Sequence, residues 1–162
     1  MGLNKSITRT DKSGSPFNIG QCDAGDYSCL LDMYRIFSPK PASQGLPPVD
    51  PDVCCRWVKK LLEIGISFIA RKNGRVIGHA EFIPDPDGKS GEFIIFVDRD
   101  FRNLGIGSEL MRLTIEETGK LSYGSIWLTV ENSNLIAIRL YRKFGFQFCD
   151  TDIYERTMLL KL

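Results

Sequence analysis

The stretch Phe96-Val97-Asp98-Arg99-Asp100-Phe101-Arg102-Asn103-Leu104-Gly105-Ile106-Gly107-Ser108-Glu109-Leu110-Met111 decides the fold, because an apolar strand passes through a short turn into a helix. Gly105 and Gly107 let the main chain approach a ligand closely. A helix opening at this point leaves the N–H groups of its first turn unpaired, and they point outward with the positive end of the helix dipole. Arg102 adds a fork of donors at the same edge. The segment therefore reads as a cradle for a phosphate-bearing ligand.

Two other glycine-rich loops can be tested against the same residues. A dinucleotide loop, G-x-G-x-x-G, would require glycine where Leu110 stands. The triplet Gly88-Lys89-Ser90 ends like a P-loop, but Ile83 occupies the place of the first glycine and no helical pattern follows. Its Asp, Pro and Gly neighbours make it a hairpin turn instead.

Upstream of the cradle the apolar period is two. Ser67 to Arg71, the Asn73-Gly74 turn, Arg75 to Ile83, the turn Pro84-Asp85-Pro86-Asp87-Gly88 and then Glu92 to Val97 make an antiparallel meander. Ahead of it, Phe17 to Cys22 reads as a strand, and Asp23 caps a helix carrying Tyr27, Leu30, Leu31, Tyr34 and Phe37. A second helix, Asp52 to Ile64, stops at Gly65. The linking stretch Ser38 to Pro51 holds Pro39, Pro41, Pro47, Pro48 and Pro51, which predicts a long semi-rigid loop of the kind that forms lids, binding loops or disordered segments.

Downstream come a helix from Gly105 to Lys120, a strand Ser125 to Val130 and a helix Asn134 to Phe144 closed by Gly145. Two strands, Phe146 to Asp150 and Glu155 to Leu160, follow. Strands and helices alternate only in this second half. The expectation is an α/β (α+β) fold: a mixed, mostly antiparallel central sheet with helices on both faces, in a single domain over residues 1–162.

Composition narrows the function classes. Twenty-one basic and 20 acidic residues leave a net charge of +1, which argues against nucleic acid or an anionic membrane as partner. No run approaches the roughly 20 apolar residues of a membrane span, and the polar N-terminus is unlike a signal sequence, so a soluble, cytoplasmic protein is expected. Five cysteines, two of them adjacent at Cys54 and Cys55, read as mostly buried thiols. With His79 as the one histidine and no C-x-x-C pair, no metal site is assigned.

Val97 followed by Arg102-x-x-Gly105-x-Gly107, and then Val130-Glu131-Asn132-Ser133-Asn134-Leu135-Ile136-Ala137-Ile138-Arg139-Leu140-Tyr141-Arg142-Lys143-Phe144-Gly145-Phe146, resemble the two linked motifs of the GNAT acetyltransferases. The resemblance extends over about Val76 to Phe148. It implies a GNAT-like N-acetyltransferase using acetyl-CoA as acyl donor, with a β-bulge and splayed strand at Phe96 and Val97 that expose main-chain groups to the pantetheine arm. The pyrophosphate would lie on the amides of Arg102, Asn103, Leu104, Gly105, Ile106, Gly107 and Ser108. Asn134 would meet the cofactor or a bridging water, and Tyr141 would aim its hydroxyl at the thioester sulfur. Lys143 and Arg139 could reach the adenosine phosphate or lie solvated. The implied partner is an amine-bearing acceptor, a small molecule or a protein lysine or N-terminus, and a homodimer is left open.

The chemistry agrees with these roles. Attack of an amine on a thioester needs an N–H aimed at the developing oxyanion, a proton donor for the departing thiolate and a base for the amine. The Val97 amide is the candidate for the first. Tyr141, with an ordinary pKa of about 10, is the candidate for the second, although a tyrosine beside Leu140 and Phe144 also suits core packing. For the third, Glu81 and Glu92 stand on neighbouring strands, and alternation puts His79 on the same face as Glu81, where the two could form a relay. The plainer reading of these residues is a solvated carboxylate and a partly buried histidine, with ordered water as base.

The acceptor is less legible. Tyr34 to Pro41 resembles the N-terminal part of bacterial protein-lysine acetyltransferase domains, and the Asp85-Pro86-Asp87 turn reads as a solvated loop. A non-catalytic acyl-CoA-binding sensor is the alternative from another class, which the intact Tyr141 disfavours. A protein-interaction domain with no cofactor is a third.

Overall fold

Alternating apolar residues between Ile66 and Val97 build three adjoining antiparallel strands, and the rest of the sheet grows from their two edges. The structure, a computed structural model, describes residues 6–38 and 47–162. Residues 39–46 of the proline-rich stretch lie outside the described residues. In chain order the elements are β1 (Ile7–Thr10), β2 (Pro16–Gln21), α1 (Tyr27–Ile36), α2 (Pro51–Ile64), β3 (Ile66–Lys72), β4 (Arg75–Pro84) and β5 (Ser90–Val97). They continue with α3 (Ile106–Lys120), β6 (Ser125–Glu131), α4 (Leu135–Lys143), β7 (Gln147–Phe148) and β8 (Glu155–Lys161).

One eight-stranded sheet results, in the order β1-β2-β3-β4-β5-β6-β8-β7. Among the described residues every pairing is antiparallel except β5 with β6, which the helical crossover α3 makes parallel. The expected mixed, mostly antiparallel sheet is what forms. Helices cover both faces. On one, Leu30, Leu31 and Tyr34 of α1 and Cys54 and Val58 of α2 pack on Ile69, Val76 and Phe96. On the other, Ile106, Leu110 and Met111 of α3 and Ile138 of α4 pack on Ile77, Ala80, Phe82 and Phe93.

Local signals explain most boundaries. Asp23 caps a short 3-10 turn, Ala24–Asp26, that feeds α1, so the helix itself begins three residues later than its cap suggests. Asp50 caps α2 through the amide of Val53, with Pro51 at the first position. Strand β1, with the sequence Ile-Thr-Arg-Thr, was not foreseen: it is a largely exposed edge strand without an alternating apolar face, and its pairing with β2 holds it. The final strand pair is also shorter than expected, since β7 spans only two residues.

The implied bulge at Phe96 and Val97 requires a correction. The β4–β5 ladder runs unbroken from Pro84↔Gly91 to Gly78↔Val97, and the register shift lies one ladder away, where β3 meets β4 between Ala70 and Arg71. The extra residue there lets Ile77 and Gly78 both turn toward α3. The thiols also divide differently from expectation, with Cys22 and Cys54 buried, Cys55 intermediate, and Cys29 and Cys149 exposed. Among the described residues no helix is long and apolar enough to cross a membrane.

Leu110 sits at the centre of the α3 interface, fully buried over Gly78. Leu110→Ala is expected to cost about 3 kcal/mol, seen as a lower urea midpoint with an unchanged slope.

Candidate active site

The β5–β6 ladder stops early. Ser90, Gly91 and Glu92 pair with Ser125, Ile126 and Trp127, and beyond them no further pairing joins the two strands. The strands part toward their C-terminal ends, opening a cavity of about 320 Å³ between β5, the head of α3 and the inner side of α4. Val97, Arg102, Asn103, Gly105, Gly107, Ser108, Asn134 and Tyr141 all line it.

Backbone direction gives this gap its chemistry. Asp98 N–H donates to the Ile77 carbonyl at 2.9 Å, so the even positions of β5 bond to β4, and the amides of Ile95 and Val97 face the gap. At the other side, the turn before α3 carries Asn103 at φ 62° and Gly105 at φ 90°, a conformation that glycine adopts without the penalty a side chain brings. The helix ladder begins with Glu109 N–H on the Gly105 carbonyl at 3.1 Å, which leaves the amides of Ile106, Gly107 and Ser108 without a helical acceptor.

Other predicted residues take different places. Phe96 turns its ring to the opposite face, edge-on to Tyr34 and Phe37 with centroids 5.5 Å apart in each pair, and its amide belongs to the β4 ladder. Leu104 accepts from the Lys12 amide at 3.0 Å, and Ile106 is buried under α3; neither lines the cavity. The expected free fork at Arg102 is corrected too. Its Nε donates to the Val97 carbonyl at 3.0 Å, a terminal nitrogen donates to the Ser38 carbonyl at 2.9 Å, and the guanidinium lies 5.4 Å from the Phe37 ring centre. Asn134 caps α4, its Oδ1 accepting from the Ala137 amide at 3.1 Å.

Tyr141 is held against Phe146, ring centres 6.0 Å apart, and is 8% exposed. Burial pushes its hydroxyl up to about 12. Among the described residues no protein group hydrogen-bonds to that hydroxyl, and the ring lines the cavity.

The two carboxylates separate sharply. Glu81 is fully buried, as is His79, and the solvated reading of the pair does not hold. His79 Nδ1 meets the Tyr34 hydroxyl at 2.5 Å, while Nε2 meets Ser67 Oγ at 2.7 Å and Glu81 Oε2 at 3.1 Å. Alternation therefore brings Glu81 and His79 together as expected, but inside the protein. Glu81 Oε1 occupies the space a side chain at Gly65 would need, since a Cβ there would stand 1.6 Å away. No acceptor amine can touch Glu81 so placed. Glu92 is half-buried, and burial raises its carboxyl above the usual range, aided by Asp85 and Glu155. Among the described residues no group of three or more His, Cys, Asp or Glu could hold a metal ion.

Several lining residues were missed. Ile95 shares the parity of Val97, and Ala137 and Leu140 precede Tyr141 by four and one on α4, so period could have found the first two. Lys12 comes from the β1–β2 turn, about 90 positions before the cradle, and no local signal links them.

Sheet, gap and amide-lined turn together define a split-sheet α/β protein with a cavity at the strand ends. A sequence profile of the Acetyltransferase (GNAT) family matches residues 30–146, and the chain belongs to that family. Relatives in sequence include a probable spermine N(1)-acetyltransferase of Bacillus subtilis subsp. natto, 34% identical over 68 residues, 40% of this chain and 45% of that protein. The [Ribosomal protein bS18]-alanine N-acetyltransferase of Escherichia coli K12 is 41% identical over 54 residues, 33% of this chain and 36% of that protein. The chain thus spans less than half the length of either relative. In structure, the GNAT domain of S. lividans PAT superposes with a TM-score of 0.84 at 12% identity, covering 97% of each chain. YncA from Salmonella typhimurium, solved with its cofactor acetyl-CoA, has a TM-score of 0.72 at 20% identity over 90% of this chain and 94% of that one.

The Glu92 environment has a measurable consequence. A carboxyl whose folded pKa is raised costs stability once it ionises, and that cost disappears as pH falls through the folded value. Glu92→Gln should raise Tm by about 1–3 °C at pH 7, with the gain vanishing toward pH 4 in calorimetric scans.

Proposed function

We propose that this protein is an acetyl-CoA-dependent N-acetyltransferase that passes the acetyl group directly to a primary amine, working as one catalytic domain. The observation that carries the reading is the parting of β5 from β6 beside an amide-lined helix start. The donor set fits the cofactor: the cavity walls hold two cationic side chains, Lys12 and Arg102, and no carboxylate. The family profile and the relatives, named for spermine and for an alanine of ribosomal protein bS18, support an amine acceptor. The free thiols accord with a reducing cytoplasmic setting.

Acetyl-CoA, when bound, supplies an activated acetyl group as a thioester; the new bond is nitrogen to acetyl carbon and the bond lost is carbon to sulfur. The amides of Gly107 and Ser108 with those around them would hold the pyrophosphate, and Arg102 would shape that wall through its carbonyl bonds. The outward amides of Val97 and Ile95 would polarise the acetyl oxygen. Tyr141 would donate its hydrogen to the departing sulfur. Glu92, whose carboxyl is raised above the usual range by burial, or water ordered beside it, would take the amine's proton. Glu81 would act from inside by fixing His79.

The direct test is incubation with acetyl-CoA and an amine panel of polyamines and peptides, following free thiol. Release that requires both substrates supports transfer, whereas tight CoA binding without release makes the protein an acyl-CoA sensor. Tyr141→Phe is expected to lower kcat about 100-fold while leaving CoA affinity within about twofold by calorimetry. Gly107→Val should weaken CoA binding at least about tenfold. A Cβ at Gly107 already meets Leu140, Val97 and Ile95 at 3.5, 3.6 and 3.7 Å, so the two further methyls must enter the cavity.

A further inference from the structure

Asp11 is the fixed point of the β1–β2 turn. It is 5% exposed, and its Oδ1 accepts from the Ser13 amide at 2.8 Å, the Ser13 hydroxyl at 2.6 Å and the Ser15 amide at 3.1 Å. Its other oxygen takes Lys72 Nζ at 3.0 Å. The Ser13 hydroxyl and Lys72 hold this carboxyl well below the usual carboxylate range. A turn tied this tightly is not a loose terminus. It is docked on the cradle as well, since the Lys12 amide donates to the Leu104 carbonyl at 3.0 Å and Arg9 Nε pairs with Glu109 of α3 at 3.0 Å.

The docking fixes where the Lys12 side chain runs. Its Cγ and Cε lie 3.7 and 3.9 Å from the position of a Cβ on Gly105, so the aliphatic stem crosses the glycine that opens α3. Lys12 is also a lining residue of the cavity, so its stem runs along that wall. Of the two cations on that wall, Arg102 is committed to the Val97 and Ser38 carbonyls. Lys12 has no carboxylate partner among the described residues. A strongly hydrated ammonium beside unpartnered helix amides has one chemical complement, an anionic oxygen.

We infer that Lys12, delivered by the N-terminal hairpin, is a further ligand-binding residue of this site and pairs with the diphosphate of the acyl donor. The inference rests on the acetyl-CoA reading above. It assigns the β1–β2 hairpin a task beyond sheet extension: the turn sets the protein's preference for phosphate-bearing acyl donors over donors that end at pantetheine. The bond is electrostatic and non-covalent, and the reacting atoms lie elsewhere in the gap.

The test measures calorimetric affinity for CoA and 3′-dephospho-CoA in wild type, Lys12→Ala and Lys12→Arg, with S-acetylpantetheine as a donor lacking the diphosphate. Loss of one charge-assisted contact is expected to weaken both nucleotide ligands about tenfold in Lys12→Ala and to flatten the salt dependence of binding. Lys12→Arg should stay within about threefold of wild type. The KM for S-acetylpantetheine and the Tm without ligand should not move, whereas a purely structural role would lower that Tm. Unchanged CoA affinity in Lys12→Ala overturns the inference. So does a loss confined to CoA with dephospho-CoA unaffected, because the ammonium would then serve the 3′-phosphate. If wild type itself binds no CoA, the acetyl-CoA reading falls instead.

Discussion

The arrangement of the molecule depends on a ladder that is begun and not finished. Parallel β5 and β6 share only Ser90–Glu92 against Ser125–Trp127, and beyond that each is paired on its far side alone. Strand β5 keeps its full pairing with β4, and β6 keeps seven register partners on β8, so neither is lost when they separate. What the separation leaves is a row of main-chain donors from Ile95 and Val97 facing a space lined by α3 and α4. Such donors are costly when buried dry and therefore await a polar ligand. The same constraint explains why the opposite side of β5 is so heavily packed. Phe96 lies amid Tyr34, Phe37 and Trp57, and that aromatic group keeps the strand straight where it has only one neighbour.

Beneath that aromatic group runs the buried polar chain of Tyr34, His79, Ser67 and Glu81. The Tyr34 hydroxyl meets Nδ1 of His79, and Nε2 meets Ser67 Oγ and Glu81 Oε2. The chain links α1, β3 and β4, and its directional bonds fix the angle at which α1 lies on the sheet more narrowly than apolar packing would. Phe37 and Ser38 follow directly at the end of α1, and Arg102 holds both of them to the cavity wall. The position of the segment after α1 is thus tied to the cradle through one guanidinium and to the core through one imidazole.

Much of this was legible in sequence where a feature is local. The meander followed from period two and Asn73-Gly74, and the tight turn into α3 from Gly105 and Gly107 before a helical pattern. What stayed hidden was long-range or depended on burial. Nothing in Ile7–Thr10 announces a strand, because an edge strand is made by its partner. Nor does sequence distinguish Glu81 from Glu92. Both sit on apolar-flanked strands, yet Gly65 gives Glu81 a slot inside while Glu92 lies near the start of β5, where it is only half-buried. Arg102 shows the converse: it stands beside the turn as read, but its Nε and one terminal nitrogen bond the Val97 and Ser38 carbonyls, contacts that no local pattern announces.

Tyr141 shows how burial changes a chemical role without removing it. A phenol pushed up to about 12 stays protonated across the working pH range, so its hydrogen is always available. Complete transfer to a thiolate with an aqueous value near 8.5 would be uphill by about 4 to 5 kcal/mol, taking 1.36 kcal/mol per pKa unit. That comparison mixes a dry phenol with a wet thiolate. The low-dielectric wall of Ala137, Leu140 and Phe146 that raises the phenol also penalises a departing thiolate in the same cavity, and the two values approach each other. A donor and an acceptor of similar proton affinity share a hydrogen bond that strengthens as negative charge gathers on sulfur, which is when it lowers the barrier. In the proposed mechanism, the burial that makes Tyr141 look like core packing is therefore also what would suit its hydroxyl to the leaving group.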